Sequence, residues 1–157
     1  MFIHLKRKNI RLINFDYSNQ ASYFITLCEK NKKNIFGKII HNSIHLNDIG
    51  RILEFKLKEL PEIFDFIQID TYIIMPNHIH LIINLYEEHN SKNIALAKII
   101  GYYKSSVTKD IMKKFNIESF WQKRFFDHII RNEISLNKIR EYIENNPKNW
   151  NLDEYFD

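Results

Sequence analysis

The stretch Phe66–Leu85, FIQIDTYIIMPNHIHLIINL, decides how this chain folds. Its first half, Phe66–Met75, is dominated by aromatic and β-branched side chains, the composition of a buried strand. Pro76-Asn77 then breaks the run with two residues that favour turns. His78–Leu85 resumes the strand pattern, so the two halves are expected to pair antiparallel. Alternate residues of a strand face opposite sides. His78 and His80 therefore share one face, while Ile79, Leu81 and Ile83 share the other and point into the core. Two imidazoles so placed can reach one ion, and the Pro-Asn turn is expected to present them at a sheet edge. With seven His in the chain, one such pair is unremarkable by chance.

Upstream, Ser22–Glu29 (SYFITLCE) reads as a strand, and GKIIHNSIHLN as an extended pair turning at Asn42-Ser43. Asn47-Asp48 can cap a helix with Ile49, Ile52, Leu53, Phe55, Leu57 and Leu60 as apolar positions, ending at Pro61. Residues 2–17 alternate basic and apolar side chains and are expected to form a surface arm. Downstream, Ile94–Phe115 has helical spacing, and a loop carries Phe120-Trp121-Gln122-Lys123-Arg124. A last helix spans about Asn132–Asn146, with Leu136, Ile139 and Ile143 on its core side and Pro147 as its stop. This order predicts one α+β domain over residues 1–157, its core about 16–150, with an antiparallel sheet and helices packed on one face.

Composition narrows the class. Hydrophobic residues make up 45% of the chain, and 3 Gly with 3 Pro leave little room for linkers. A single Cys28 excludes a disulfide scaffold and a thiolate zinc cluster. No run approaches a membrane span, which predicts a soluble, cytoplasmic protein without a membrane partner. The net charge is +4, and its distribution is uneven: residues 98–131 hold eight Lys/Arg against three Asp/Glu. That stretch interleaves cations with aromatics, as a single-stranded nucleic acid requires: Lys for phosphates, rings for bases. Lys104, Lys123, Arg124 and Arg131 are the candidate phosphate contacts and Trp121 a candidate stacking platform. The same pattern also fits a solvated helix face with Trp121 in the core.

The last helix carries the remaining chemistry. Tyr142 and Asn146 are one turn apart and share a face beside the Leu136–Ile139–Ile143 stripe. Ordinarily such a Tyr is a core-edge residue and such an Asn a C-cap. A phenol of pKa about 10 is a poor nucleophile at neutral pH. It needs an electrophile activated by a cation. Two His plus an amide oxygen leave coordination positions open for phosphate and water, which suits Mg²⁺ or Mn²⁺ better than a closed zinc site.

Four segments, in this order and spacing, carry a resemblance: MPNHIHLII (Met75–Ile83), IIGYYKSSVTK (Ile99–Lys109), FWQKRFFDHIIRN (Phe120–Asn132) and IREYIENNPKNW (Ile139–Trp150). Together they resemble the single-tyrosine HUH transposases, and most closely the REP-associated tyrosine transposases. The resemblance implies a ferredoxin-like (RRM-like) sheet with the His pair on a central strand. It implies Tyr142 as nucleophile, and His78, His80 and Asn146 as ligands of one Mg²⁺ or Mn²⁺. Relatives often have the longer Gln at the third ligand position, and Glu144, off the matching position but a better Mg²⁺ ligand as a carboxylate, stays open as an alternative to Asn146. The implied reaction is cleavage and rejoining of single-stranded or hairpin DNA through a 5′-phosphotyrosine link. Monomer and homodimer both occur among the relatives, with the REP-associated branch resembling monomers. The competing reading is a non-catalytic or host-domesticated nucleic-acid-binding domain of RRM-like fold. A mere binder has no reason to bring a phenol to a metal.

Overall fold

A computed structural model describes residues 21–86, 90, 92 and 94–155. The arm expected at 2–17 and the first residues of the expected core lie outside them. Four strands form one sheet in the order β4 (Ile67–Ile74), β5 (His78–Leu85), β1 (Ala21–Cys28) and β6 (Phe126–Ile130). Every pairing is antiparallel. A separate hairpin joins β2 (Gly37–Ile40) to β3 (Ser43–Leu46). Its turn falls at His41 and Asn42, one residue earlier than expected, and both have positive φ, as tight hairpin turns demand.

Register divides the sheet into two unlike faces. Tyr23, Ile25 and Leu27 of β1 join Ile79, Leu81, Ile83 and Leu85 of β5 in the main apolar core. Helices α1 (Asp48–Ile63) and α2 (Leu96–Phe115) cover that face. α1 contributes Ile49, Leu53, Leu57 and Leu60, and α2 contributes Leu96, Ile99, Ile100, Tyr103, Val107 and Ile111. Each such aliphatic side chain stabilises by about 1.5–3 kcal/mol when fully buried. The Tyr103 hydroxyl donates to the Leu53 carbonyl at 2.9 Å and locks the two helices together. Asn47 caps α1 by accepting from the Gly50 amide at 3.0 Å. Gly50 is required for the packing, since a Cβ there would lie 2.1 Å from the Phe36 carbonyl. The helix continues two residues past Pro61, which has no amide to donate to the Leu57 carbonyl.

The α+β class with an antiparallel sheet holds, and α1 and α2 share one face as expected. Helix α3 (Glu133–Asn145) does not: it lies on the opposite face, where Ile139 and Ile143 pack on Phe24, Ile82 and Ile130. Periodicity shows that a helix has an apolar stripe but not which side of a sheet receives it. Strand β6 lies between the expected Phe120–Arg124 loop and α3, where the sequence predicts no strand. Its five residues pair only with β1 at the sheet edge, and His128 is exposed, so its sequence has no clean alternation. After α3 the chain makes a short 3-10 turn, Trp150–Leu152, and folds back under β5 as far as Tyr155.

Candidate metal and nucleophile site

The α3 face of β5 carries His78 and His80, and both are buried, at 0% and 2% exposure. They stand on a central strand rather than at the exposed sheet edge expected from the turn. The reason lies far away in sequence. Tyr155 packs on the His78 ring at 4.3 Å and Trp150 stacks on it at 6.0 Å, while Phe24 stacks on His80 at 5.3 Å.

The ring nitrogens are oriented by neighbours. Asn77 Nδ2 donates to the carbonyls of Lys32 and Tyr155, at 3.0 and 2.7 Å. Its Oδ1 must therefore accept from His78 Nδ1, at 2.8 Å. That fixes the proton of neutral His78 on Nδ1 and leaves Nε2 with a bare lone pair. Thr26 lies opposite His80 in the β1–β5 register, and its hydroxyl contacts His80 Nδ1 at 2.8 Å. The two Nε2 atoms face each other at 3.1 Å.

Helix α3 brings Tyr142 over this pair, its hydroxyl 3.5 Å from His80 Nε2. The helix is anchored by Arg140, whose guanidinium grips both carboxylate oxygens of Asp70. Asp70 sits where the β4–β5 register shifts between Ile69 and Thr71, and this irregularity frees it to reach α3. The Arg140 hydrogen bonds hold the Asp70 carboxyl below its usual range. Asn146, at the C-terminal end of α3, is 2% exposed, and its Oδ1 has no hydrogen-bond partner. Glu144 is exposed on α3 and takes no part in the cluster. Asp153, which sequence reasoning missed, places Oδ2 3.9 Å from His78 Nε2. It sits in an irregular tail after the last helix, where neither period nor spacing signals a site.

Burial controls the charges here. It pushes His80 down to about 3. It holds His78 well below its ordinary value, with the His80 charge adding to the effect and Asn146 opposing it. Tyr142 is raised to about 12, first by burial and then by the Asp153 charge, against a smaller opposing effect of Asn146. Asp153 is raised to about 6, mainly by burial. Two imidazoles held neutral by burial, the Asn146 amide oxygen and the Asp153 carboxylate gather four potential ligand groups in one buried space. Among the described residues, His78, His80 and Asp153 bring ligand atoms within 4.8 Å of one another. These residues are compatible with a divalent ion.

The sequence profile of the IS200-like transposases matches residues 17–146, most of the chain. This protein belongs to the IS200-like transposase family. A Haemophilus influenzae protein of uncharacterized function is 36% identical, spanning 96% of this chain and 93% of its own. A putative REP-associated tyrosine transposase of the same organism is 34% identical over 47% of this chain and 46% of its own. Among solved structures, a REP-associated tyrosine transposase bound to a REP hairpin superimposes with a TM-score of 0.70 at 19% identity, over 92% of this chain and 77% of that one. A putative transposase from Deinococcus radiodurans gives 0.55 at 13% identity, over 86% and 97% of the two chains. These two likenesses establish a shared fold. Family membership makes this transposase a member of a DNA-cleaving class.

The basic stretch is only partly available to a ligand. Lys123, Arg124 and Arg131 are exposed. Lys104 turns inward, with Nζ donating to the Gln122 carbonyl at 2.7 Å and lying over the Trp121 and Phe125 rings. Trp121 is not the expected stacking platform. It is 7% exposed and packs on Phe36, Phe120 and Tyr103, closing the end of the main core beside its bridge to Glu29. Among the described residues no helix is long and apolar enough to cross a membrane.

Proposed function

We propose that this transposase cuts and rejoins single-stranded or hairpin DNA with Tyr142 as nucleophile and a divalent cation, Mg²⁺ or Mn²⁺, as cofactor. The observation that carries the reading is the 3.5 Å approach of the Tyr142 hydroxyl to His80 Nε2. The solved relative bound to a REP hairpin supports hairpin DNA as the substrate class. His78, His80 and Asn146 would hold the ion through Nε2, Nε2 and Oδ1. When bound, the ion supplies a Lewis acid that polarises a phosphate oxygen and lowers the cost of ionising a nearby phenol.

The chain's own residues do the rest. Asn77 keeps the His78 proton on Nδ1, so Nε2 is always a donor of electrons. Asp70 and Arg140 hold α3 against β4, and so hold the phenol at a fixed height above the His pair. Such positioning is where enzymes acting on a phosphodiester gain much of their rate. At neutral pH Tyr142 carries its proton, having been raised to about 12. In the reaction the Oη–P bond forms as the P–O3′ bond breaks. The phenolic proton leaves to solvent and the freed 3′ oxygen takes one up. A 3′-OH later attacks the phosphotyrosine and restores the phenol, so no external energy is consumed. Lys123, Arg124 and Arg131 are the proposed phosphate contacts.

The test is incubation of the protein with labelled hairpin or single-stranded DNA and Mn²⁺, followed by denaturing electrophoresis. The wild type is expected to give a covalent protein–DNA band, and Tyr142→Phe none. A band that persists in Tyr142→Phe and disappears in Tyr103→Phe would refute the assignment. Full activity in excess EDTA would refute the cofactor.

A further inference from the structure

We infer that Asp153 is itself a metal ligand, so that the C-terminal segment contributes a carboxylate to the ion held by His78, His80 and Asn146. The inference rests on the metal-centre reading above and extends it to a residue beyond the span that matches the family profile.

The Asp153 side chain is 4% exposed. Its Oδ1 accepts from the Tyr155 amide at 2.8 Å. Its Oδ2 faces His78 Nε2 at 3.9 Å, beyond hydrogen-bond reach. His78 has no proton to offer there, because Asn77 holds it on Nδ1. Lys32, the nearby ammonium, donates instead to the Glu154 carbonyl at 3.3 Å. Two electron-pair donors thus confront each other in a buried space, and Asn146 Oδ1, with no hydrogen-bond partner, adds a third. Asn146 Oδ1 is a buried acceptor without a donor, which is costly, and a shared cation would satisfy it together with His78 Nε2 and Asp153 Oδ2.

The spacing agrees. Ligands at about 2.1 Å from an ion stand about 3 Å apart when adjacent and about 4.2 Å when opposite. The His78–His80 nitrogens are 3.1 Å apart, and His78 Nε2 lies 3.9 Å from Asp153 Oδ2. Two imidazoles, one amide oxygen and one carboxylate make a mixed site that favours a hard divalent ion. The ion and the segment Trp150–Tyr155 are then linked: each holds the other in place.

The experiment measures Mn²⁺ affinity of the whole protein without DNA, by calorimetry and by electron paramagnetic resonance of free Mn²⁺. Asp153→Asn, which keeps an acceptor for the Tyr155 amide, is expected to weaken binding by about 10–100-fold. Glu154→Gln, an exposed neighbour of the same charge, is expected to bind like the wild type. His78→Ala and His80→Ala should lose the site. In hydrogen exchange, Mn²⁺ should protect residues 150–155 in the wild type and not in Asp153→Asn. Asp153→Cys loaded with Co²⁺ should gain a thiolate-to-metal charge-transfer band. The wild type, which contains Cys28, is its control. Unchanged Mn²⁺ affinity in Asp153→Asn, with the His variants impaired, overturns Asp153 as a ligand and leaves the metal centre standing. A Co²⁺ spectrum of Asp153→Cys identical to that of the wild type overturns it equally. Mn²⁺ binding untouched by either His variant overturns the metal centre, and this inference with it.

Discussion

The two faces of the sheet are built from the same strands and do opposite work. On the α1/α2 face, β5 presents Ile79, Leu81 and Ile83, each fully buried in a large apolar cluster. One residue away on the same strand, the α3 face presents His78 and His80 beside five buried apolar residues. The first face is closed by apolar packing. The second buries two imidazoles, groups whose charged forms are costly to bury. Because side chains alternate along a strand, β5 serves both faces without compromise.

The sharpest way to test that division is Tyr142→Phe. It removes one hydroxyl from the reactive face, so the covalent adduct should vanish while the melting temperature stays within error of the wild type. Leu81→Ala on the other face should do the reverse: a loss of about 2–5 kcal/mol in denaturant unfolding, with normal adduct formation in whatever remains folded. If Leu81→Ala proves nearly neutral, the α1/α2 face is not the support it appears from its packing.

His80→Ala should cross the divide. Because the ring is buried between Phe24 and Tyr142, its loss is expected both to abolish metal binding and to cost stability by opening a cavity. An exposed ligand would have cost activity only. Acid should act on the same face. His78 and His80 titrate below their unfolded value near 6.5, so the unfolded chain binds more protons. Their contribution is complete above about 6.5 and is lost as pH falls, for His80 toward about 3. Asp153, raised to about 6, opposes this between about 4 and 6 and only partly offsets two imidazoles. The metal-free protein should therefore lose stability between about pH 6.5 and 4, and Mn²⁺ should shift the onset downward. A flat profile would place the His pair in water.

The smallest effects belong outside both faces. Asp70→Asn weakens the anchor of α3 and is expected to cost about 1–2 kcal/mol, between the exposed and buried limits for ion pairs. Lys123→Ala and Arg124→Ala should each flatten the salt dependence of single-strand binding by about 0.7. An unchanged slope would send the DNA elsewhere.

Much of this arrangement was legible in the sequence, and the reasons differ by element. The β4–β5 pair and helices α1 and α2 follow from periodicity and capping, since local pattern and tertiary burial agree there. Tyr142 and Asn146 were found because a helical turn brings them to one face, and His78 and His80 because a strand does. The burial of the His pair was not legible. It is produced by Trp150 and Tyr155, about seventy residues downstream, in a segment with no periodic signal. Nor was the Arg140–Asp70 anchor, which depends on a register shift that no residue pattern announces. Trp121 misled because an aromatic beside cations fits a binding surface and a core edge equally well.

The support of α3 has a consequence for local opening. The central strands β1 and β5 are laddered along their whole length, whereas α3 rests on a few apolar contacts and one bidentate ion pair. Its amides should therefore exchange with solvent deuterium through an opening that leaves the sheet closed, while those of β1 and β5 wait for global unfolding. Asp70→Asn should speed exchange in α3 alone. The helix that carries Tyr142 should thus detach from the sheet before the central strands open.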